Sequence, residues 1–212
     1  MSANSANANR FDARAATWDE DPKKHRRAAA VAEAVRAAVT LQPDMRLLEY
    51  GAGTGLLAQA LADDVGDLTV ADSSAGMLAV LRDKVAGGAL PRAEVWDLDL
   101  SRDAAPAGER FDVVVTAMAL HHIPDLPPVL SSFASLLRPG GHLCVADLEA
   151  EDGSFHGPGF EGHDGIARDL LSSLLTDAGF ADVRFQHCYR MNKDGRDYDL
   201  FLATAQRAAT SV

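Results

Sequence analysis

The stretch Leu47-Leu48-Glu49-Tyr50-Gly51-Ala52-Gly53-Thr54-Gly55 constrains this chain more than any other. A strand-like apolar run feeds straight into a Gly-x-Gly-x-Gly turn, and helical spacing begins at Leu56. Glycines let the backbone turn sharply and let a ligand approach amides that a Cβ would screen. The dinucleotide fingerprint has its third glycine one residue later, where this chain has Leu56, so close approach of a pyrophosphate is poorly supported. A nucleoside without phosphates still fits. The next strand ends at Asp72, placed to accept from both hydroxyls of a ribose, and an acid there repels a 2′-phosphate and argues against NADP.

Around this turn the pattern alternates. Strands are expected at Arg46–Tyr50, Leu68–Ala71, Ala93–Trp96, Phe111–Ala117 and His142–Ala146, and helices at Leu56–Ala62, Ala75–Val85 and Leu126–Leu137, the last closed by Pro139-Gly140-Gly141. Regular βα alternation implies a Rossmann-like α/β fold, a mostly parallel sheet with helices on both faces. Two helical pieces precede the first strand, one around Phe11 and Trp18 and one after Pro22. Beyond the fifth strand, Glu149 to Asp164 is rich in Gly, acid and His without apolar period, and reads as a long functional loop. A helix over Gly165–Ala178 is capped by Gly179, and Val183–Tyr189 and Tyr198–Ala203 flank Asn192-Lys193-Asp194-Gly195 as an antiparallel hairpin. The expected organisation is a disordered tail over 1–10 and a single domain over 11–212, with an N-terminal helical lid at 11–42 and an acceptor-site loop at 148–164.

Composition excludes more than it names. The 212 residues carry 20 Lys+Arg against 31 Asp+Glu, a formal charge of −11, which argues against a nucleic-acid backbone as partner. The two cysteines, Cys144 and Cys188, match no metal or redox spacing and read as free thiols of a reducing compartment. No run is long enough for a membrane span and the first residues lack the order of a secretion signal, so a soluble, cytoplasmic chain is expected, a monomer or a homodimer.

The chain resembles the class I S-adenosylmethionine-dependent methyltransferases from Phe11 to about Gln206, and among them the small-molecule enzymes of ubiquinone-biosynthesis type. The resemblance is carried by Glu49-Tyr50-Gly51-Ala52-Gly53-Thr54-Gly55, Val70-Ala71-Asp72-Ser73-Ser74-Ala75-Gly76-Met77, Trp96-Asp97-Leu98, the run from Phe111 to His122, and Leu136-Leu137-Arg138-Pro139-Gly140-Gly141. It implies a seven-stranded sheet with an antiparallel strand near the C-terminus, and S-adenosylmethionine as cofactor with S-adenosylhomocysteine as product. Gly51, Ala52 and Gly53 would lie under the methionine and ribose, with Asp72 on the ribose diol and Ser73 and Met77 flanking ribose and adenine. Asp97 would accept from the adenine amine while the Leu98 amide donates to the ring. The Ala117 carbonyl, with Met118 beside it, would meet the methionine ammonium, and Glu49 adds an acceptor for a cationic ligand. The segment Phe11 to Asp19 is similar to the family's opening lid; Trp18 there either contacts the sulfonium through its ring face or staples the helix to the core. Lys23-Lys24-His25-Arg26-Arg27 is either a solvated face or, through Arg27, a contact to the methionine carboxylate.

Methyl transfer from a sulfonium needs alignment and exclusion of water rather than a protein nucleophile. A base is required only where the acceptor must lose a proton, and His121 or His122 is the candidate; otherwise His121 packs beneath the sheet end and His122 starts the following helix. Phe155 and Phe160 would wall the acceptor, a small molecule, and His156 or His163 would give a polar contact. No metal is expected, since these histidines lack a His-x-x-x-His spacing or a cysteine partner. An NAD-binding oxidoreductase and a non-catalytic cofactor-binding module are the competing readings.

Overall fold

Residues 11–108 and 110–209 are described by a computed structural model; the tail expected over 1–10 lies outside them. Seven strands form the sheet, and the described residues fall into two compact units that divide after Asp99.

In the first unit the strands are β1 (Arg46–Tyr50), β2 (Asp67–Asp72) and β3 (Ala93–Asp97), all parallel, in the order β3-β2-β1. Leu47, Leu48, Val70 and Ala71 are wholly buried, as continuous apolar strands covered on both faces should be. Helix α1 (Pro22–Ala38) begins where Asp21 accepts from the Lys23 amide and Pro22 occupies the first turn, which needs no N–H there. Helices α2 (Leu56–Leu61) and α3 (Ala75–Ala86) follow β1 and β2, and α3 is capped by the Ser74 hydroxyl accepting from the Met77 amide. The helical piece expected around Trp18 is a 3-10 helix, Ala15–Glu20.

In the second unit β4 (Phe111–Ala117) and β5 (Leu137–Leu148) are parallel, and β7 (Arg196–Arg207) runs antiparallel to both β5 and β6 (Phe180–Lys193), in the order β4-β5-β7-β6. Helix α4 (Leu126–Leu136) buries Leu126, Val129, Leu130, Phe133 and Leu136 at helical spacing, each worth roughly 1.5–3 kcal/mol relative to exposure. Helix α5 (Arg168–Asp177) begins three residues later than its sequence pattern suggests, because Gly165 and Ile166 belong to the end of the loop, where Ile166 bridges to Glu149. The hairpin is longer than expected and its loop shorter. Asp194 and Gly195, both at positive φ, make a two-residue turn, and Arg190–Asp199 and Asn192–Asp197 pairs extend the ladder through residues whose polarity hides strand character.

Candidate functional site

In the first unit the glycine turn, the end of β2 and the N-terminal segment converge. Gly51, Gly53 and Gly55 all have positive φ. At Gly53 an added Cβ would meet nothing within 4 Å, so the turn presents open backbone there, whereas at Gly55 it would press on Leu81 and Leu90. Gly55 thus serves packing and Gly53 leaves room for a ligand. Asp72 accepts from the Gly53 amide at 2.7 Å and the Ser74 amide at 2.8 Å, which ties the turn to the end of β2. Burial raises the Asp72 carboxyl above its ordinary value against the pull of these amides. Each carboxylate oxygen keeps a second lone pair, so the residues fit a ribose diol.

Glu49 is buried on β1 and accepts from the Ala58 amide at 2.8 Å. Burial pushes its carboxyl up to about 8, with the Asp72 charge adding to the rise and Lys84 opposing it. It is therefore mostly protonated near neutrality, unlike the fixed negative acceptor the sequence suggests. Asp97 stands exposed at the end of β3, and Ser73 is exposed while Met77 is buried. The Leu98 amide donates to the Asp72 carbonyl at 3.1 Å, so the donor expected for an adenine ring is already engaged in joining β3 to β2.

The N-terminal segment is held over the start of α3. Asp12 accepts from the Ser74 hydroxyl at 2.5 Å and the Gly76 amide at 2.9 Å, and these two donors hold its carboxyl below the usual range. Gly76 permits this approach: a Cβ there would lie 2.9 Å from Asp12 Cα and from its carbonyl oxygen. Asp19 accepts from Thr54 Oγ1 at 2.5 Å and pairs with Lys84 Nζ at 2.6 Å. The Trp18 ring is occupied by Lys24 Nζ at 3.7 Å, with Phe11 edge-on at 5.9 Å, an arrangement that fastens the segment to α1. Arg27 is half-buried on α1.

In the second unit, Ala117 ends β4 and Met118 follows with φ +56, a left-handed backbone uncommon outside glycine. A 3-10 turn, Leu120–His122, then sets two imidazoles side by side, with ring centroids 4.1 Å apart. His121 is 1% exposed, and its Nδ1 lies 2.5 Å from Asp147 Oδ1 on β5. Burial alone would raise Asp147, but the His121 charge and hydrogen bond and the Leu148 and His121 amides hold it below the usual carboxylate range. Sequence reasoning passed over Asp147; an acid inside Cys144-Val145-Ala146-Asp147-Leu148 was the available signal.

The loop from 149 to 167 brings His156 within 5.1 Å of both His121 and His122 by ring centroids, stacked on Phe160 at 3.7 Å. Ring nitrogens of His121, His122 and His156 lie within 4.8 Å of one another. The spacing argument against a metal could not anticipate this convergence, because one of the three comes from a distant loop. Phe155 is buried against Leu148, Tyr198 and Leu200, with Met118, Cys188, Tyr189 and Met191 packed around it. It is thus a core side chain with one edge toward His121 and His156. His163 points elsewhere: its Nε2 meets the Ile123 carbonyl at 3.0 Å and its amide donates to the His121 carbonyl at 2.7 Å, pinning the loop to the 3-10 turn. The loop acids are ties as well, Glu149 to Arg168, Asp152 to Arg196, and Glu151 to the Ser154 hydroxyl and Phe155 amide.

A mostly parallel sheet with this glycine turn, an acid at the end of β2 and an antiparallel hairpin after α5 defines a Rossmann-like methyltransferase fold. Residues 23–195 match the methyltransferase domain family, so the chain belongs to that family, of class I S-adenosylmethionine-dependent type. It is 36% identical over 155 residues to an uncharacterised methyltransferase of Schizosaccharomyces pombe, covering 66% of this chain and 54% of that protein. It is 33% identical over 112 residues to a ubiquinone biosynthesis O-methyltransferase of Marinobacter nauticus, covering 52% of this chain and 47% of that one. The chain thus spans about half the length of these curated relatives. Among solved structures, the N-methyltransferase NodS of Bradyrhizobium japonicum, in complex with S-adenosylhomocysteine, superposes with a TM-score of 0.65 at 19% identity, over 88% of this chain and 86% of that one. Among the described residues, no helix is long and apolar enough to cross a membrane.

Proposed function

We propose that the chain transfers a methyl group from S-adenosylmethionine to a small-molecule acceptor by in-line displacement. The observation that carries this reading is Asp72, fixed by the Gly53 and Ser74 amides beside a glycine turn that leaves open space at Gly53. Bound there, S-adenosylmethionine supplies an electrophilic methyl carbon on a sulfonium. Asp72 takes the ribose diol, Asp97 the adenine amine, and Gly51, Ala52 and Gly53 the backbone contacts, while the Asp12–Ser74 and Asp19–Lys84 ties hold the N-terminal segment as a cover that excludes water. In the second unit, His121, oriented by Asp147, or His122 takes the proton of an acceptor that must lose one, with Phe160 and His156 along its path. The net charge of −11 favours a neutral or cationic acceptor in a cytoplasmic setting.

Calorimetric titration with S-adenosylhomocysteine tests the assignment. Micromolar-range binding is expected, with a loss of a hundredfold or more in Asp72→Ala. Binding unaltered in that variant overturns the ribose site, and a fluorescence response to NADH with none to S-adenosylhomocysteine overturns the cofactor.

A further inference from the structure

The histidine cluster of the second unit, offered above as a proton acceptor, carries a second chemistry that replaces that role wherever an ion is bound, because a ligating imidazole has no electron pair left to take a proton. His121 sits 1% exposed with Nδ1 committed to Asp147, and its other ring nitrogen, Nε2, is buried and meets no hydrogen-bond partner among the described residues. A buried polar atom left without a partner is a cost that a bound ligand removes. Asp147 also accepts from the Leu148 amide at 2.8 Å and the His121 amide at 3.2 Å, and as an acceptor at Nδ1 it selects, for the neutral ring, the tautomer whose Nε2 bears the free electron pair. One ring nitrogen from each of His121, His122 and His156 lies within 4.8 Å of the other two.

We propose that His121, His122 and His156 bind one divalent transition-metal ion of the zinc class, with Asp147 as the positioning residue for His121. Three neutral imidazoles suit zinc, cobalt or nickel and disfavour calcium or magnesium, which prefer oxygen. A carboxylate on the far nitrogen of a ligating histidine is the recurrent support of such sites, since it fixes ring orientation and strengthens the donor. Metal–nitrogen bonds of about 2.0–2.1 Å bring tetrahedral ligand atoms to about 3.3 Å apart, so the cluster closes on an ion by roughly an ångström of side-chain movement. Two of the ligands come from one 3-10 turn and the third from the 149–167 loop, where stacking on Phe160 limits the freedom of the His156 ring. The ion therefore fastens that loop to the turn after β4, a contact that the His163 amide already makes from the loop's other end.

Three protein ligands leave a fourth position open, to water or to an ionised oxygen of an acceptor. That last role rests on the methyltransferase reading; metal binding does not. The site then selects acceptors bearing a hydroxyl or enol whose ionisation the metal favours.

Tag-free full-length protein, stripped with chelator and titrated with Co2+, provides the test, read by visible d–d absorption and by metal content after gel filtration, with Zn2+ as competitor. One ion per chain is expected, displaced by Zn2+. Affinity should fall a hundredfold or more in His156→Ala, ten- to a hundredfold in Asp147→Asn, and not at all in His187→Ala, whose ring is exposed and paired with Asp199. Circular dichroism confirms that the His156 variant, altered in a loop, remains folded. Absence of stoichiometric binding in the parent protein, or full affinity in folded His156→Ala, leaves only an aromatic cluster and overturns the proposal. Should metal bind while S-adenosylhomocysteine does not, the methyl-transfer reading fails and the metal site stands.

Discussion

Glu49 gives the sharpest physical prediction. Burial moves its carboxyl from an ordinary 4.5 up to about 8, so across that window the folded chain keeps a proton that the unfolded chain has released. The stabilisation from holding this proton is complete below about pH 4.5 and is lost as pH rises through about 8. At about 1.4 kcal/mol per unit, the loss reaches roughly 3 kcal/mol by neutrality and about 5 kcal/mol once Glu49 is ionised in both states. Glu49→Gln retains the shape and leaves an amide oxygen to accept from the Ala58 N–H, but it cannot titrate. Its amide group needs a partner of its own, a pH-independent cost of about 1–3 kcal/mol. The variant should therefore be the weaker protein at about pH 5 and the more stable one by about pH 9. Urea unfolding across that range measures it, followed by tryptophan fluorescence, since Trp18 and Trp96 both lie in the unit that contains Glu49. Stability curves that run parallel in pH for the two proteins would refute the reasoning. Because a nearby sulfonium favours the ionised form, S-adenosylmethionine should also release this proton on binding more than S-adenosylhomocysteine does, and Glu49→Gln should erase that difference in buffer-dependent heats.

Gly53→Ala places a Cβ in open space at φ +57, so it should cost the free protein only about 1 kcal/mol in thermal unfolding while weakening S-adenosylhomocysteine at least tenfold; equal affinity would mean that no ligand lies there. Gly76→Ala forces its Cβ against the Asp12 backbone and should cost about 1–3 kcal/mol, with cleavage near residue 20 appearing in limited proteolysis; protection equal to the parent's would show that the segment is not held through this contact.

The sequence by itself determined the βα alternation, the glycine turn, Asp72 at the end of β2 and the antiparallel hairpin, because each rests on local periodicity or on backbone conformations that few residues allow. Helix ends and strand lengths were less legible: polar cross-strand pairs such as Arg190–Asp199 lengthen the hairpin without an apolar signature. Only the tertiary structure decided which groups meet. It gave Trp18 to Lys24, engaged the Leu98 amide with Asp72, buried Glu49 deeply enough to keep its proton, and set Asp147 behind His121 with His156 alongside. Those pairings join residues 6 to 35 positions apart, and no periodicity records them. They depend on strand register and loop path, which packing settles after the local pattern has been spent.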